Sequence, residues 1–326
     1  MSGSVPPRDG TAASPDVSVI IVSHNSEHLL PRTLAALQAG GGRLRLQIVV
    51  VDNASRDRSA ELLKRDFPNV ELIENATNLG FGRANNQAVS RARGRYILLL
   101  NPDAFVSPDT LAKTVGFMDD HPRSGVLGVK LVDENGYVQP SVFRFPTPWN
   151  VFVAMSRLDR LVGLSSFVEQ DSTSLRACDW VQGCFYLIRN EVIKTVGLFD
   201  PRYFLFFEEI DHCRSLKSAG WNVIYYPYAP VTHLGGESTK LVKRDLGDNR
   251  RVPALLAESE FLYYRKHHGI FVVFASLFFT ILTDFGRALK RLIVTHSANE
   301  ELAPLSHLWT VLQVFVRTRM GSRPVH

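Results

Sequence analysis

Five carboxylates and one histidine stand where this chain could hold a ligand or move a proton. Asp52 and Asp103 follow the apolar runs Leu46–Val51 and Tyr96–Leu100, which read as buried strands. Open α/β sheets bind ligands just outside the carboxyl ends of such strands. A carboxylate there can accept hydrogen bonds from a ribose or a uracil or thymine ring. It can also hold a hard cation, Mg²⁺ or Mn²⁺, that bridges phosphate oxygens. Pro102 fixes φ and ends the ladder, so Asp103 sits on a rigid turn. The competing assignment for Asp103 is a helix N-cap, a position Ser107 fills equally well. His233 adds a nitrogen ligand if its turn approaches Asp103; on spacing alone it reads as a polar turn residue. Glu208, Glu209 and Asp211 open a helix directly after the aromatic run containing Phe204, Phe206 and Phe207. A carboxylate in such an apolar pocket has a raised pKa and can take a proton from an attacking hydroxyl. The plainer alternative is favourable first-turn charge. Asp211 pairs with Arg214 or another basic group, or orients an acceptor.

The elements that must position these groups alternate. Val17–Ser23 reads as a first strand, ending in the turn His24-Asn25-Ser26, with a helix through Leu30, Leu34 and Leu37 behind it. Leu46–Val51 is the second strand and Val70–Ile73 a short third. Asn78-Leu79-Gly80-Phe81-Gly82 leads into a helix, the central strand Tyr96–Leu100 follows, and another helix runs from about Pro108 to Asp119. Short connections in a β-α-β-α order predict an α/β fold with a mostly parallel sheet. The turn after strand one lacks the glycine fingerprint of a dinucleotide fold, and no phosphate-binding P-loop occurs.

From Gly125 the pattern changes. Val126–Val132 and Gly136–Phe145 read as strands around an Asp-Glu-Asn-Gly turn. Residues 149–175 lack clear periodicity and have the composition of a segment covering a binding groove. Trp180–Ile188 reads as one buried strand region, 209–219 as a helix, and Trp221–Tyr226 as a strand. Cys184 and Cys213 read as core residues.

Composition narrows the class. The chain has 326 residues, 45% of them apolar, and a formal net charge of +5. It offers no basic patch with interleaved aromatics and no zinc-finger spacing, so a nucleic-acid partner has no footing. Three cysteines without motif spacing suit a reducing cytosol. Residues 1–16 carry no apolar core of a signal peptide and read as a disordered tail.

The ordered set of local patterns resembles the inverting, nucleotide-sugar-dependent glycosyltransferases of family 2, with the GT-A fold. The likeness is greatest to the rhamnosyltransferase-like branch of bacterial surface polysaccharide biosynthesis. The matching stretches are Val19–Asn25, Val51–Asp57, Asn78–Asn86, Leu100–Asp103, Trp180–Gly183, Phe207–Asp211 and His233–Ser238.

The resemblance implies a single nucleotide-binding domain over 17–245, with a donor half at 17–120 and an acceptor half at 121–245. It implies a dTDP- or UDP-linked sugar donor bound by Ser23, Asn25, Asp52, Asn53, Asn78, Gly80, Arg83, Asn101 and Asp103. A Mg²⁺ or Mn²⁺ ion would be held by Asp103 and His233. Glu209 would be the base, with Glu208 a competitor, and Trp180, Gly183 and Asp211 would meet the acceptor. Asn101 stands where the family places the first carboxylate of its Asp-x-Asp pattern, which implies a metal shell completed by water. Glu209 stands where the family has aspartate, one methylene shorter.

The carboxyl-terminal stretch 246–326 reads as a helical appendage. Fourteen uncharged residues, Ile270–Thr283, lie between Arg265-Lys266 and Arg287, Lys290 and Arg291. That run is short for a membrane crossing but suits an interfacial helix on an anionic leaflet. Residues 250–326 contain ten Lys/Arg and five Asp/Glu, so the basic character concentrates there. The alternative is a buried subdomain or homo-oligomer interface. A cytoplasmic enzyme peripherally bound to the membrane, using a polyprenyl-diphosphate-linked glycan or polysaccharide acceptor, fits both the segment and the resemblance. The first donor expected from the branch is dTDP-L-rhamnose, with UDP-galactofuranose or UDP-hexoses as alternatives. Competing readings are a sugar-phosphate nucleotidyltransferase, which wants a glycine-rich activating loop, and a catalytically degenerate sugar-binding scaffold.

Overall fold

Strands form wherever the apolar runs are continuous, and the computed structural model describes residues 14–156, 173–235, 251–294 and 303–325. The first 120 residues contain β1 (Val17–Ser23), α1 (Leu30–Gly40), β2 (Leu46–Asp52), α2 (Ser59–Asp66) and β3 (Glu71–Glu74). They continue through α3 (Phe81–Val89), β4 (Tyr96–Leu100), β5 (Ala104–Val106) and α4 (Thr110–Asp120). Next come β6 (Ser124–Val132), β7 (Val138–Gln139), β8 (Val142–Phe143), α5 (Pro148–Ser156), β9 (Arg176–Ala177), β10 (Trp180–Val181) and β11 (Phe185–Arg189). The chain then forms α6 (Asn190–Val196), α7 (Glu208–Ser218) and β12 (Asn222–His233). Three carboxyl-terminal helices follow, α8 (Arg251–His268), α9 (Ile270–Val294) and α10 (Ala303–Arg317).

The main sheet runs β3-β2-β1-β4-β11-β6-β12-β5, with β7 beside β6 and β9 beside β12. β3, β2, β1 and β4 are mutually parallel, as the α/β reading requires. β11 is antiparallel to both β4 and β6. α1, α2 and α4 bury leucines against one face of the sheet, while α3, α6, α7 and α8 pack on the other. The architecture is therefore mixed α/β with a mostly parallel sheet and a carboxyl-terminal helical layer.

Several boundaries differ from the sequence expectation for identifiable reasons. The region Trp180–Ile188 is two strands in two sheets: β10 pairs with β8, and β11 enters the main sheet. The break falls at Gly183, where a Cβ would meet the Glu209 side chain at 3.7 Å. The expected strand at Trp221–Tyr226 extends to His233 as one bent strand. Pro227 and Pro230 cannot donate to a ladder, and the pairing with β6 shifts register between Tyr226 and Val231. Asp16 is not tail: its carboxylate accepts from Arg45 at 3.2 Å and its backbone N–H donates to the Arg45 carbonyl. The fourteen-residue apolar run belongs to the 25-residue helix α9, separated from α8 by Gly269 at φ +81°. Of the region 149–175, residues 149–156 lie in α5; residues 157–172, the 245/246 boundary, and Gly236, Glu237 and Ser238 lie outside the described residues.

Candidate active site

The carboxyl ends of β1, β2 and β4 place Ser23, Asp52 and the Asn101-Pro102-Asp103 turn along one edge of the sheet. Ser23 is in register with Asp52 across the β1–β2 ladder. Both are buried, and Ser23 Oγ and Asp52 Oδ2 have no hydrogen-bond partner within the protein. Buried oxygens are rarely left orphaned unless a ligand or water satisfies them. Asp52 Oδ1 accepts from the Ser55 N–H, which fixes the carboxylate.

Other members of the expected donor set build the walls. Asn53 accepts from Asn75 Nδ2 and the Leu79 N–H, and donates to Asn78 Oδ1, so it staples the 75–80 loop. Asn78 Oδ1 in turn accepts from the Gly80 N–H. Gly80 has φ +82°, and a Cβ there would lie 2.3 Å from the Phe204 carbonyl, so glycine alone permits that approach. Asn25, with φ 52°, accepts from the Arg56 N–H. Arg83 Nε donates to the Pro201 carbonyl and braces α3 against the loop before α7.

Asp103 and His233 meet through a short strand. The Asn101-Pro102-Asp103 turn closes with an Ala104 N–H bond to the Asn101 carbonyl, and β5 then pairs antiparallel with the end of β12. Ala104 lies opposite His233, so Asp103 falls beside it, and the Leu234 N–H donates to the Asp103 carbonyl. His233 Nε2 stands 3.6 Å from Asp103 Oδ2, with both side chains buried. Gln139 Nε2 donates to the His233 carbonyl, which makes Oε1 the atom facing the ring. His233 Nδ1 therefore carries the proton and donates to Gln139 Oε1 at 2.8 Å. Burial lowers the His233 pKa despite the opposing charge of Asp103, so the ring is neutral at pH 7. Its Nε2 lone pair thus points at a carboxylate across a gap too long for a hydrogen bond. A divalent cation suits two electron-rich atoms in this relation, and the Gln139 contact is the outer-shell support that metal-binding histidines use. Among the described residues, no group of three or more His, Cys, Asp or Glu side chains is arranged to hold a metal.

The carboxylates of α7 separate by environment. Phe206 and Phe207 have φ of 69° and 65°, in the left-handed region unusual for bulky residues, just before the helix starts. Glu208 turns toward α3, where its Cβ lies 3.8 Å from the Cβ that Gly82 lacks. Burial, then the neighbouring Glu209 charge, push its pKa well above the ordinary carboxylate value. Glu209 turns the other way, toward Gly183, whose backbone N–H donates to it. Burial raises Glu209 to about 7, with the backbone donors opposing. Glu209 Oε2 is buried with no partner among the described residues, and Glu209 is one of the residues lining an apolar cavity. This divergence favours Glu209 over Glu208 as a group that exchanges a proton near pH 7.

Asp211 faces elsewhere. Its carboxylate accepts from Lys266 Nζ at 2.7 Å, His267 Nε2 at 2.6 Å and Tyr203 at 3.3 Å, which anchors α8 to α7. Trp180 stacks on Phe143 at 4.1 Å, and its indole donates to the Arg144 carbonyl, so one ring face and its polar edge are committed to the fold. Sequence reasoning missed Gln139, Lys266 and His267. Gln139 carries no local signal, and the two basic residues resemble a membrane flank. Cys178, Cys184 and Cys213 are all buried free thiols, as expected of core residues.

The model for the family described as glycosyl transferase family 2 matches residues 18–185. The N-acetylglucosaminyl-diphospho-decaprenol L-rhamnosyltransferase of Mycobacterium tuberculosis is 28% identical over 246 residues, covering 68% of this chain and 76% of that protein. Rhamnosyltransferase WbbL of Escherichia coli is 28% identical, covering 67% of this chain and 83% of its own length. Among solved structures, the mannosyltransferase PcManGT of Pyrobaculum calidifontis, in complex with GDP-Man and Mn²⁺, aligns with 96% of this chain and 90% of its own. Its TM-score is 0.50 at 17% identity, which is a likeness of fold.

Proposed function

The chain belongs to glycosyl transferase family 2 and is a glycosyltransferase, and on that premise we propose that it is an inverting rhamnosyltransferase. It carries L-rhamnose from dTDP-L-rhamnose to a hydroxyl of a polyprenyl-diphosphate-linked glycan. The donor and acceptor come from the two relatives named rhamnosyltransferases, one of which is named for a diphospho-decaprenol acceptor. The observation that carries the site assignment is the Asp103–His233 pair, held apart at 3.6 Å with its tautomer fixed by Gln139.

The orphaned oxygens of Ser23 and Asp52 support a role in binding the donor base or ribose. The loop stapled by Asn53 and Asn78 shapes that pocket rather than filling it. Asp103 and His233 would hold a Mg²⁺ or Mn²⁺ ion, which neutralises charge developing on the departing diphosphate. Asn101 offers no second carboxylate there, so diphosphate oxygens and water would have to complete the shell of such an ion. Glu209 takes the proton of the acceptor hydroxyl as the new C–O bond forms at the anomeric carbon. The bond to the nucleoside diphosphate breaks on the opposite face, and the electron pair leaves with it. Burial and the adjacent Glu209 charge raise the Glu208 pKa, which favours ionisation at Glu209 within the pair. Asp211 positions α7 through Lys266 and His267 rather than touching the acceptor.

α9 supports peripheral membrane contact. Its 22-residue stretch Ile270–Arg291 is long and apolar enough to cross a membrane by length and composition. Phe271, Phe274, Phe278, Phe285 and Leu289 are exposed along one face, while Val273, Ser276, Thr283 and Asp284 turn inward. One face fixed to the protein and one exposed and apolar suit a helix lying in the interface.

The test is a panel of nucleotide sugars with Mg²⁺ or Mn²⁺, read by transfer to a lipid-linked acceptor. dTDP-L-rhamnose turns over in preference to UDP-sugars, and transfer rises as pH passes through about 7, where Glu209 ionises. Glu209→Gln lowers transfer by at least about 10³-fold while donor binding persists. Full activity in that variant removes Glu209 as the base; no donor binding or turnover in the folded wild type removes the whole reading.

A further inference from the structure

We propose that the cavity between α5, α7, α8, α9 and α10 receives the isoprenoid chain of the acceptor and thereby presents its head to Glu209; this rests on the lipid-linked acceptor proposed above. The cavity has a volume of about 410 Å³ and reaches from Glu209 and Trp180 to the inner face of α9. Its wall is built mainly from side chains such as Phe152, Met155, Leu256, Phe279 and Val311.

The polar groups in the wall are largely engaged by the protein. Thr280 and Thr283 hydroxyls donate to the carbonyls of Ser276 and Phe279 one turn back. Ser276 Oγ donates to Glu260 at 2.6 Å, and His307 bonds Asp284 at 2.6 Å. A glycan entering this space would lose its water without gaining matching partners, whereas an apolar chain loses nothing by entering. The exception in the wall is Glu209, whose Oε2 is buried and unpartnered. One end of the space therefore addresses a hydroxyl and the rest addresses hydrocarbon.

The cavity also joins the exposed apolar surface. Leu256 is 44% exposed at its rim, and exposed Trp149 packs edge-on against Phe279, which lines the wall. Phe279 belongs to the same helix whose outer face carries Phe271, Phe274, Phe278 and Phe285. A lipid lying along α9 thus meets apolar side chains on both the outer and the inner face, with Arg287 held at the Met155 carbonyl beside the wall. The volume accommodates a short length of chain behind the head, with the remainder left along α9.

The test uses two arms on the full chain. The first is saturable binding of dansyl-labelled farnesyl diphosphate, followed by fluorescence. The second compares KM for N-acetylglucosaminyl diphosphate esters carrying a twenty-carbon isoprenoid chain or a methyl group. Wild type binds the probe and shows a KM at least tenfold lower for the long-chain ester. Thr280→Trp fills the cavity and removes both effects, while dTDP affinity by thermal shift stays the same. Leu256→Glu, at the exposed rim where folding is undisturbed, weakens probe binding at least tenfold.

Unchanged probe binding in Leu256→Glu or in folded Thr280→Trp overturns the assignment. So does equal displacement of the probe by phosphatidylglycerol vesicles lacking isoprenoid, which makes the space a general lipid site. If wild type transfers sugar from no donor yet binds the probe in the variant-sensitive way, the transferase reading fails and the cavity assignment stands. If it transfers sugar equally to both esters, the reverse holds.

Discussion

Asp103 faces His233 across 3.6 Å, whereas Asp211 is gripped by His267 at 2.6 Å and Lys266 at 2.7 Å. Both aspartates are buried, and both lie on the sheet face or helix that frames the site. The difference is in the contact with the ring, closed at Asp211 and open at Asp103. Around Asp211 the fold supplies a lysine, so the carboxylate is neutralised from within. At Asp103 the adjacent histidine is neutral and directed by Gln139 with its lone pair toward the carboxylate. A third pair, Asp284–His307 at 2.6 Å with Arg287 at 3.7 Å, follows the closed pattern. Identical residue types thus form an open pair in one place, where a ligand is proposed, and closed pairs that serve the fold in two others. A closed or an open contact with the imidazole separates the cases more sharply than burial does.

Substituting each aspartate is the strongest way to break the contrast. Asp103→Asn lowers transfer by about 10³-fold, because charge stabilisation at a metal site accounts for several kcal/mol of the barrier. Its melting temperature changes by less than that of an aspartate in the Lys266 network, because the 3.6 Å approach to His233 is not a hydrogen bond. Initial rates with Mn²⁺ and thermal melts read the two quantities. Asp211→Asn behaves in the opposite sense. It removes one of the two carboxylates that hold Lys266, leaving Asp200 at 3.0 Å, and lowers stability by about 2 kcal/mol in urea unfolding. A large fall in transfer without that stability loss would make Asp211 a group that touches the acceptor.

A smaller effect sharpens the open pair. Gln139→Leu removes the acceptor for His233 Nδ1–H and frees the ring to change tautomer or rotate. Outer-shell losses of this kind weaken metal affinity by about 10- to 100-fold. Titration of Mn²⁺ in the presence of dTDP measures it directly, apart from turnover. Unchanged Mn²⁺ affinity would mean that His233 does not ligate.

Much of the open pair was legible because it lies at the ends of strong local patterns. The run Tyr96–Leu100 and the Asn-Pro-Asp turn announce a strand end, and continuous burial of β4 bears this out. The meeting of Asp103 with His233 was not legible from spacing. It depends on β5, only three residues long, and on a register shift in β12 that follows from Pro227 and Pro230. The closed pair was less legible still. Lys266 and Asp211 lie 55 residues apart, and the basic stretch 265–268 reads naturally as a membrane flank. The structure turns Lys266 and His267 inward to α7, so the basic margin preceding α9 is weaker than composition suggests. The long helix α9 exceeded its uncharged core because the residues after Thr283 keep an apolar face, with Phe285 and Leu289 exposed, while Asp284 turns inward.

The smallest test concerns acid. Asp200 extends the closed network, accepting from Arg202 at 2.7 Å and from Lys266 at 3.0 Å. Burial alone would raise its pKa, but hydrogen bonds from Arg202 and Lys266 outweigh that and hold it well below the usual carboxylate range. A carboxyl whose folded pKa is depressed stabilises the protein above its unfolded value, and that contribution fades as pH falls toward the folded value. The expected loss begins near pH 4, where the unfolded side chain takes up its proton and the folded one does not. Asp200→Asn removes this dependence, so wild type and variant differ by about 1 kcal/mol at pH 6 and converge toward pH 2. Urea unfolding at the two pH values measures the difference. Lys266→Met should flatten the same acid limb, because it removes one of the groups that depress Asp200. Convergence absent from both variants would mean that Lys266 neutralises Asp211 alone, and that the closed network ends at α7.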